Sequence, residues 1–143
     1  MKADDLKVRT KQFALRVLKL VASLPNTMQG RAIGNQLVRA ATSVAANYRA
    51  ACRGRSRAEF IAKLGTVEEE ADESAFWLEL IIEAELLNQK KVGALLSEAL
   101  ELTKIMASSR ITASRSAKRP ISAADNPTSE LALSRQSEIG NRK

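Results

Sequence analysis

Asn35–Glu70 reads NQLVRAATSVAANYRAACRGRSRAEFIAKLGTVEEE, and the fold turns on the middle of that stretch. At ~100° per residue, Leu37, Ala41, Val44, Tyr48, Ala51 and Cys52 fall on one face of a helix. Arg39, Ser43, Ala46, Arg49 and Arg53 fall roughly opposite. Gly54 suits the left-handed position that ends such a helix. Ser56-Arg57-Ala58-Glu59 then reads as a capping box, Ser56 accepting from the Glu59 amide and Glu59 reaching back. Beyond it Phe60, Leu64, Val67, Ala71, Ala75, Leu78 and Ile82 form one continuous apolar stripe. Two helices joined by so short a connection must lie antiparallel as neighbours.

Working outward, Phe13, Val17, Leu20 and Leu24 recur at helical spacing over Asp4–Ser23, and Ala14, Leu18 and Val21 widen the stripe. Pro25-Asn26 breaks that helix, and the segment to Gly34 reads as a connection or a loose first turn. The second helix then begins between Arg31 and Asn35 and ends at Arg53. The third runs from Arg57 to Leu87, about 45 Å at the ordinary helical rise. Its second half also carries Phe76, Trp77, Leu80 and Leu87 off the main stripe, which predicts contacts between subunits there. Asn88-Gln89 makes a turn, and a fourth helix over Lys91–Thr112 is built on Val92, Leu95, Ala99, Leu102 and Met106. From Ala113 the composition changes to six serines and two prolines without an aromatic, at net charge +3. This predicts a flexible basic tail over 113–143. The expected architecture is all-α: an antiparallel up-down-up-down four-helix bundle over 1–112.

Composition agrees and excludes several chemistries. The chain has 143 residues and 15.6 kDa, is 45% hydrophobic and 27% charged, and has only 3% aromatics, a balance that favours helices over sheet. With no histidine and one cysteine, histidine acid–base work, Ser–His triads, His-ligated metals and an internal disulfide are ruled out. Neither Walker nor Rossmann glycine spacing exists, so no cofactor is expected. MKADDLKVRT lacks the apolar stretch of a signal peptide, and no run is apolar enough to span a bilayer, so a cytoplasmic protein without a membrane partner is expected.

The net charge of +7 conceals a strong segregation. Residues 1–58 hold twelve basic and two acidic side chains, 59–101 three and eleven, and 102–143 eight and three. Such asymmetry makes either a basic face for nucleic acid or basic helices lying beside an acidic one.

The segment Leu24–Leu87 resembles the four-helix-bundle family known from 23S rRNA intervening sequences, also called the S23 family. Its carriers are Pro25 and the pattern Gln36, Arg39, Ala40, Ser43, Asn47. They continue with the Arg-rich turn and Glu59-Phe60, then Leu64, Gly65, Thr66 and Glu69. The family's customary acidic residue after the Asn is replaced here by the more basic Arg49-Ala50-Ala51-Cys52-Arg53-Gly54. The resemblance implies a homopentameric barrel of bundles and a role near RNA. The chain is more distantly similar to the accessory variability protein of diversity-generating retroelements, a basic pentameric partner of a reverse transcriptase.

Arg39, Arg49, Arg53, Arg55 and Arg57 are the leading nucleic-acid candidates, supported by Lys11, Arg16 and Lys19. Guanidinium forks match phosphate oxygens, and each neutralised phosphate releases counterions. The competing assignment pairs these arginines with Glu68, Glu69, Glu70, Asp72 and Glu73, and Arg39 with Glu69 above all. The aromatics sit mainly on apolar stripes, which favours sequence-tolerant backbone binding over base stacking. Consecutive acids diverge around the helix and do not converge on a metal, Asn47 and Ser43 suit hydrogen bonds inside the bundle, and Cys52 suits an inert core thiol. The expectation is a non-catalytic, oligomeric protein that binds RNA or DNA phosphates. The alternative is a scaffold docking an acidic protein partner or a reverse-transcriptase-type enzyme.

Overall fold

The computed structural model describes residues 2–118, folded as four helices: α1 Ala3–Val21, α2 Met28–Cys52, α3 Arg57–Glu83 and α4 Gln89–Lys118. They run up-down-up-down. Packing is closest between α3 and α4 and between α2 and α3, and thinnest between α1 and α4. Phe13, Leu37, Leu64, Leu78, Ile81, Leu102 and Met106 fill the centre without exposure. Each such side chain contributes roughly 1.5–3 kcal/mol on burial. The predicted faces of α2 and α4 are buried as expected.

The differences lie at the helix ends and edges. α2 begins at Met28, earlier than the sequence pattern suggests, because Thr27 caps it: its side chain accepts from the Gly30 amide at 3.1 Å. Gly30 is required there, since a Cβ would lie 2.1 Å from the Pro25 carbonyl oxygen. α3 stops at Glu83, and Leu87 lies in the connection. The stop is a Schellman motif, with Leu86 N–H donating to the Ile81 carbonyl and Glu85 N–H to that of Ile82, both at 3.0 Å. Glu85 takes the left-handed position with φ 57°. Ile81 is fully buried and Ile82 only partly, because the 3.6-residue period has advanced the stripe by one position. Leu18, expected to widen the α1 core stripe, is instead 44% exposed.

α4 continues past the expected end at Thr112 to Lys118, and Ala113, the first residue of the predicted tail, is buried. The rest of that predicted tail, 119–143, lies outside the described residues.

Candidate nucleic-acid interface

The α2–α3 connection is short and heavily hydrogen-bonded. Arg53 N–H donates to the Ala50 carbonyl and Gly54 N–H to that of Ala51, both at 3.0 Å. Gly54 does not take the left-handed conformation its position suggests. Space around it is tight, since a Cβ would lie 3.1 Å from the Ala51 oxygen and 3.3 Å from Glu59 Oε1. Ser56 Oγ accepts from Glu59 N–H at 3.1 Å, the expected half of the capping box. The reciprocal bond differs: Glu59 Oε1 accepts from Arg55 N–H at 2.6 Å, one residue before the cap. Both bonds tie down the backbone of a turn whose Arg53 and Arg55 side chains point to solvent.

Arg49 is exposed one helical turn before Arg53 on the same side of α2, about 6 Å along the axis. Across from it, Lys7 and Lys11 of α1 line a groove of about 530 Å³ floored by Ala14, Ala45 and Ala46. Arg57, the first residue of α3, is half-buried. Arg49, Arg53, Arg55 and Lys11 make no ion pair among the described residues.

Arg39 belongs elsewhere. It sits ten residues before Arg49, about 15 Å up the helix, and its guanidinium bridges α2 to α3. Nη1 and Nη2 donate to Glu70 at 3.4 and 3.2 Å, and Nη2 also donates to Glu73. The suspected pairing with Glu69 is therefore replaced by one with Glu70 and Glu73, and Glu69 stays exposed. Glu73 also accepts from Trp77 Nε1 at 3.0 Å. That bond, then the one from Arg39, holds its carboxyl below the ordinary carboxylate range. The same contacts, from Glu73 first, raise the Arg39 pKa.

Two further arginines absorb acids of α3 and α4. Arg110 donates to Glu68 at 2.8 Å, and Arg9 grips Glu98 through two bonds of 2.7 and 2.9 Å. Bidentate guanidinium–carboxylate geometry is the stronger form of such pairing. Arg16 and Lys19 lie on the other flank of α1, where with Lys91 they line a separate groove of about 360 Å³ toward α4.

The structure thus divides the predicted residues into three groups: Arg49, Arg53 and Arg55 with Lys11, a distinct Arg16–Lys19 patch, and an ion-paired Arg39. Sequence reasoning missed Lys7 and Lys91, whose relevance depends on which helices adjoin. It also missed Arg115, exposed on the extension of α4. Arg110 lies against Gly65, so the antiparallel register carries Arg115 down toward the first turns of α3. Asn47 spends its amide within its own helix, donating to the Ser43 carbonyl at 3.0 Å and to Ser43 Oγ at 2.8 Å. Cys52 is buried. No described helix is long and apolar enough to cross a membrane.

These features define a class: an antiparallel four-helix bundle with a rigid, arginine-rich end. The model of the family described as 23S rRNA-intervening sequence protein matches residues 4–108, and the chain belongs to that family. A solved structure from Bacteroides thetaiotaomicron, described as a protein of unknown function from the S23 ribosomal protein family, is similar at 33% identity and a TM-score of 0.67. The similarity covers 71% of this chain and 94% of that one. Among curated proteins none matches.

Proposed function

We propose that this chain is a non-catalytic, oligomeric protein of the cytoplasm that binds RNA or DNA through the phosphate backbone, with Arg49, Arg53 and Arg55 as the principal contacts. The observation that carries the reading is the division of the arginines. Arg39, Arg110 and Arg9 take up acids of α3 and α4, whereas Arg49, Arg53 and Arg55 stay exposed and keep their charge for a ligand. Their backbone is held by caps at both sides of a short turn, so little ordering entropy opposes binding. Arg57, Lys11 and the Arg16 patch extend the positive field that steers a polyanion to this end. The family's association with 23S rRNA favours RNA as the first ligand to test. In the pentamer that the family resemblance implies, five copies of a modest patch would act through avidity.

Fluorescence anisotropy of a labelled structured RNA across a salt series tests this. Affinity should fall log-linearly with salt, with a slope of about −0.9 per contacted phosphate on duplex and −0.7 on single strands. Reversing Arg49, Arg53 and Arg55 to Glu should abolish binding at low salt with helicity unchanged. Unaltered RNA affinity in that variant would sink the assignment. Binding of an acidic protein in place of RNA would favour a docking scaffold.

A further inference from the structure

The groove between α1 and α2 offers more than phosphate contacts need. It encloses about 530 Å³, inside the roughly 300–1,000 Å³ that takes a small organic ligand. Lys11 on the α1 wall and Arg49 on the α2 wall are exposed, and no acidic side chain lines the space between them. Lys7, also on the α1 wall, has Asp4 at 3.1 Å, a solvated pair of little strength. Between the cations the surface is apolar: Val8, 61% exposed, with Ala14, Ala45 and Ala46. Arg49 stands at the end nearest the α2–α3 turn, about 6 Å along the helix from Arg53. The groove therefore opens toward the arginines assigned above to phosphates.

Phosphates account for the cations and leave the rest of the lining without a role. Thr42 sharpens the point. Its hydroxyl donates to the Val38 carbonyl at 2.7 Å, so any further bond it makes in the groove is one it accepts. An ionised phosphate has no proton to give it, whereas a base amino group or a ribose 2′-hydroxyl does. Cations at the rim, an apolar floor and one acceptor suit a whole nucleotide, with its charge outside and its ring face on aliphatic carbon. In a duplex the ring faces are stacked on one another, and only phosphates, sugars and base edges reach a protein. An unpaired nucleotide presents its ring face as well. Arg49 can also lay its guanidinium plane on the ring, a contact suited to splayed-out bases.

We propose that the α1–α2 groove is a nucleotide subsite, taking an unpaired nucleotide of single-stranded RNA while the flanking phosphates lie on Arg49, Arg53 and Arg55. This rests on the phosphate-binding reading and names its substrate class: single strands, loops and bulges in preference to uniform duplex. Charge alone gives the opposite order. Each phosphate contact releases more condensed counterion from duplex than from single strand, about 0.9 against about 0.7. A preference for single strand is thus a signature of the groove and not of the arginines.

Fluorescence anisotropy of one labelled RNA oligonucleotide, alone and annealed to its complement, tests this at fixed salt. The single strand should bind about fivefold more tightly than the duplex, the low end of what one base contact contributes. Ala46→Leu, at an exposed position, fills the groove and leaves every charge in place. It should erase the preference by weakening the single strand alone. Thr42→Val removes the acceptor and should narrow the preference, and far-UV circular dichroism checks that both variants remain folded. Arg53→Glu with Arg55→Glu, outside the groove, should instead weaken both forms alike. Equal affinity of the wild type for the two forms, or tighter binding of duplex, overturns the subsite and leaves the phosphate reading standing. A preference that survives Ala46→Leu and Thr42→Val unchanged does the same. Binding of neither form overturns the phosphate reading, and the subsite with it.

Discussion

Replacing Glu85 with glycine should make the bundle more stable, although it removes a side chain and adds chain freedom. Glu85 holds the left-handed position of the α3 Schellman motif at φ 57°. An L-residue there pays roughly 1–2 kcal/mol, which glycine does not. Against this, glycine gives up about 0.4–1 kcal/mol through the greater entropy of the unfolded chain. The carboxylate also lies just past a helix C-terminus, where negative charge is disfavoured by roughly 0.3–1 kcal/mol at low salt. Glu83 lies in the same turn and Glu79 one turn earlier, so the loss of one charge relieves like-charge repulsion as well. The side chain of Glu85 is exposed and makes no ion pair among the described residues, so nothing is forfeited. The balance is a gain of about 1 kcal/mol, or a Tm rise of roughly 4 °C for a domain of this size. Glu85→Ala isolates the charge effect, because alanine keeps the backbone cost. Urea unfolding followed by circular dichroism should rank glycine above alanine and alanine at or above wild type. Glycine no more stable than alanine would refute the conformational argument. A loss of stability in both would mean that the carboxylate itself has a partner.

Other outcomes can be stated briefly. Gly30→Ala drives a Cβ to 2.1 Å from a backbone carbonyl and should cost about 1–3 kcal/mol or more by overpacking, read as a lower urea midpoint. Gly65→Ala is its counterpart, with only Arg110 Cδ at 3.8 Å, and should gain up to about 1 kcal/mol from helix propensity. Glu73 has a folded pKa depressed by Trp77 and then Arg39, so its stabilisation is present above the ordinary 4.5 and is lost as pH falls through the lower folded value. The stability difference between wild type and Glu73→Gln should therefore shrink on acidification below 4.5, and a difference constant with pH would contradict the bonding described. Leu78→Ala, at a site with no exposure, should cost about 2–5 kcal/mol in chemical unfolding.

The helix faces were legible because burial obeys one period: Leu37, Ala41, Val44 and Tyr48, or Val92, Leu95, Ala99 and Leu102, need no knowledge of neighbours to be placed. The helix ends were less so. Pro25-Asn26 reads as a break and the segment to Gly34 as a connection, yet the Thr27 cap and the lack of a Cβ at Gly30 are what let α2 begin at Met28. Leu87 reads as part of α3 from the sequence, since nothing local announces a glutamate, Glu85, in the left-handed position. α4 runs past its expected end, and Ala113 there is buried, which serine-rich composition cannot report. The site was harder still. That Arg39 turns to Glu70 and Glu73 rather than Glu69 depends on the rotation of α2 against α3, and Lys7 enters the Arg49 groove only through the pairing of α1 with α2.

The separation of charge along the chain now has a physical account that neither simple alternative supplies. Three arginines neutralise acids of α3 and α4 within the molecule. These pairs are partly solvated, so each is worth little alone, but their placement bridges α2 to α3, α3 to α4 and α1 to α4. Among the charges left over, Glu69, Asp72, Glu79 and Glu83 lie exposed on α3, Lys11, Arg16 and Lys19 lie exposed on α1, and Arg49, Arg53 and Arg55 lie exposed around the α2–α3 turn. Internal pairing thus takes up acids of α3 and α4 and leaves the arginines of the turn uncompensated. The arginines of the α2–α3 turn are left exposed, and on the proposed function they are the surface offered to a polyanion.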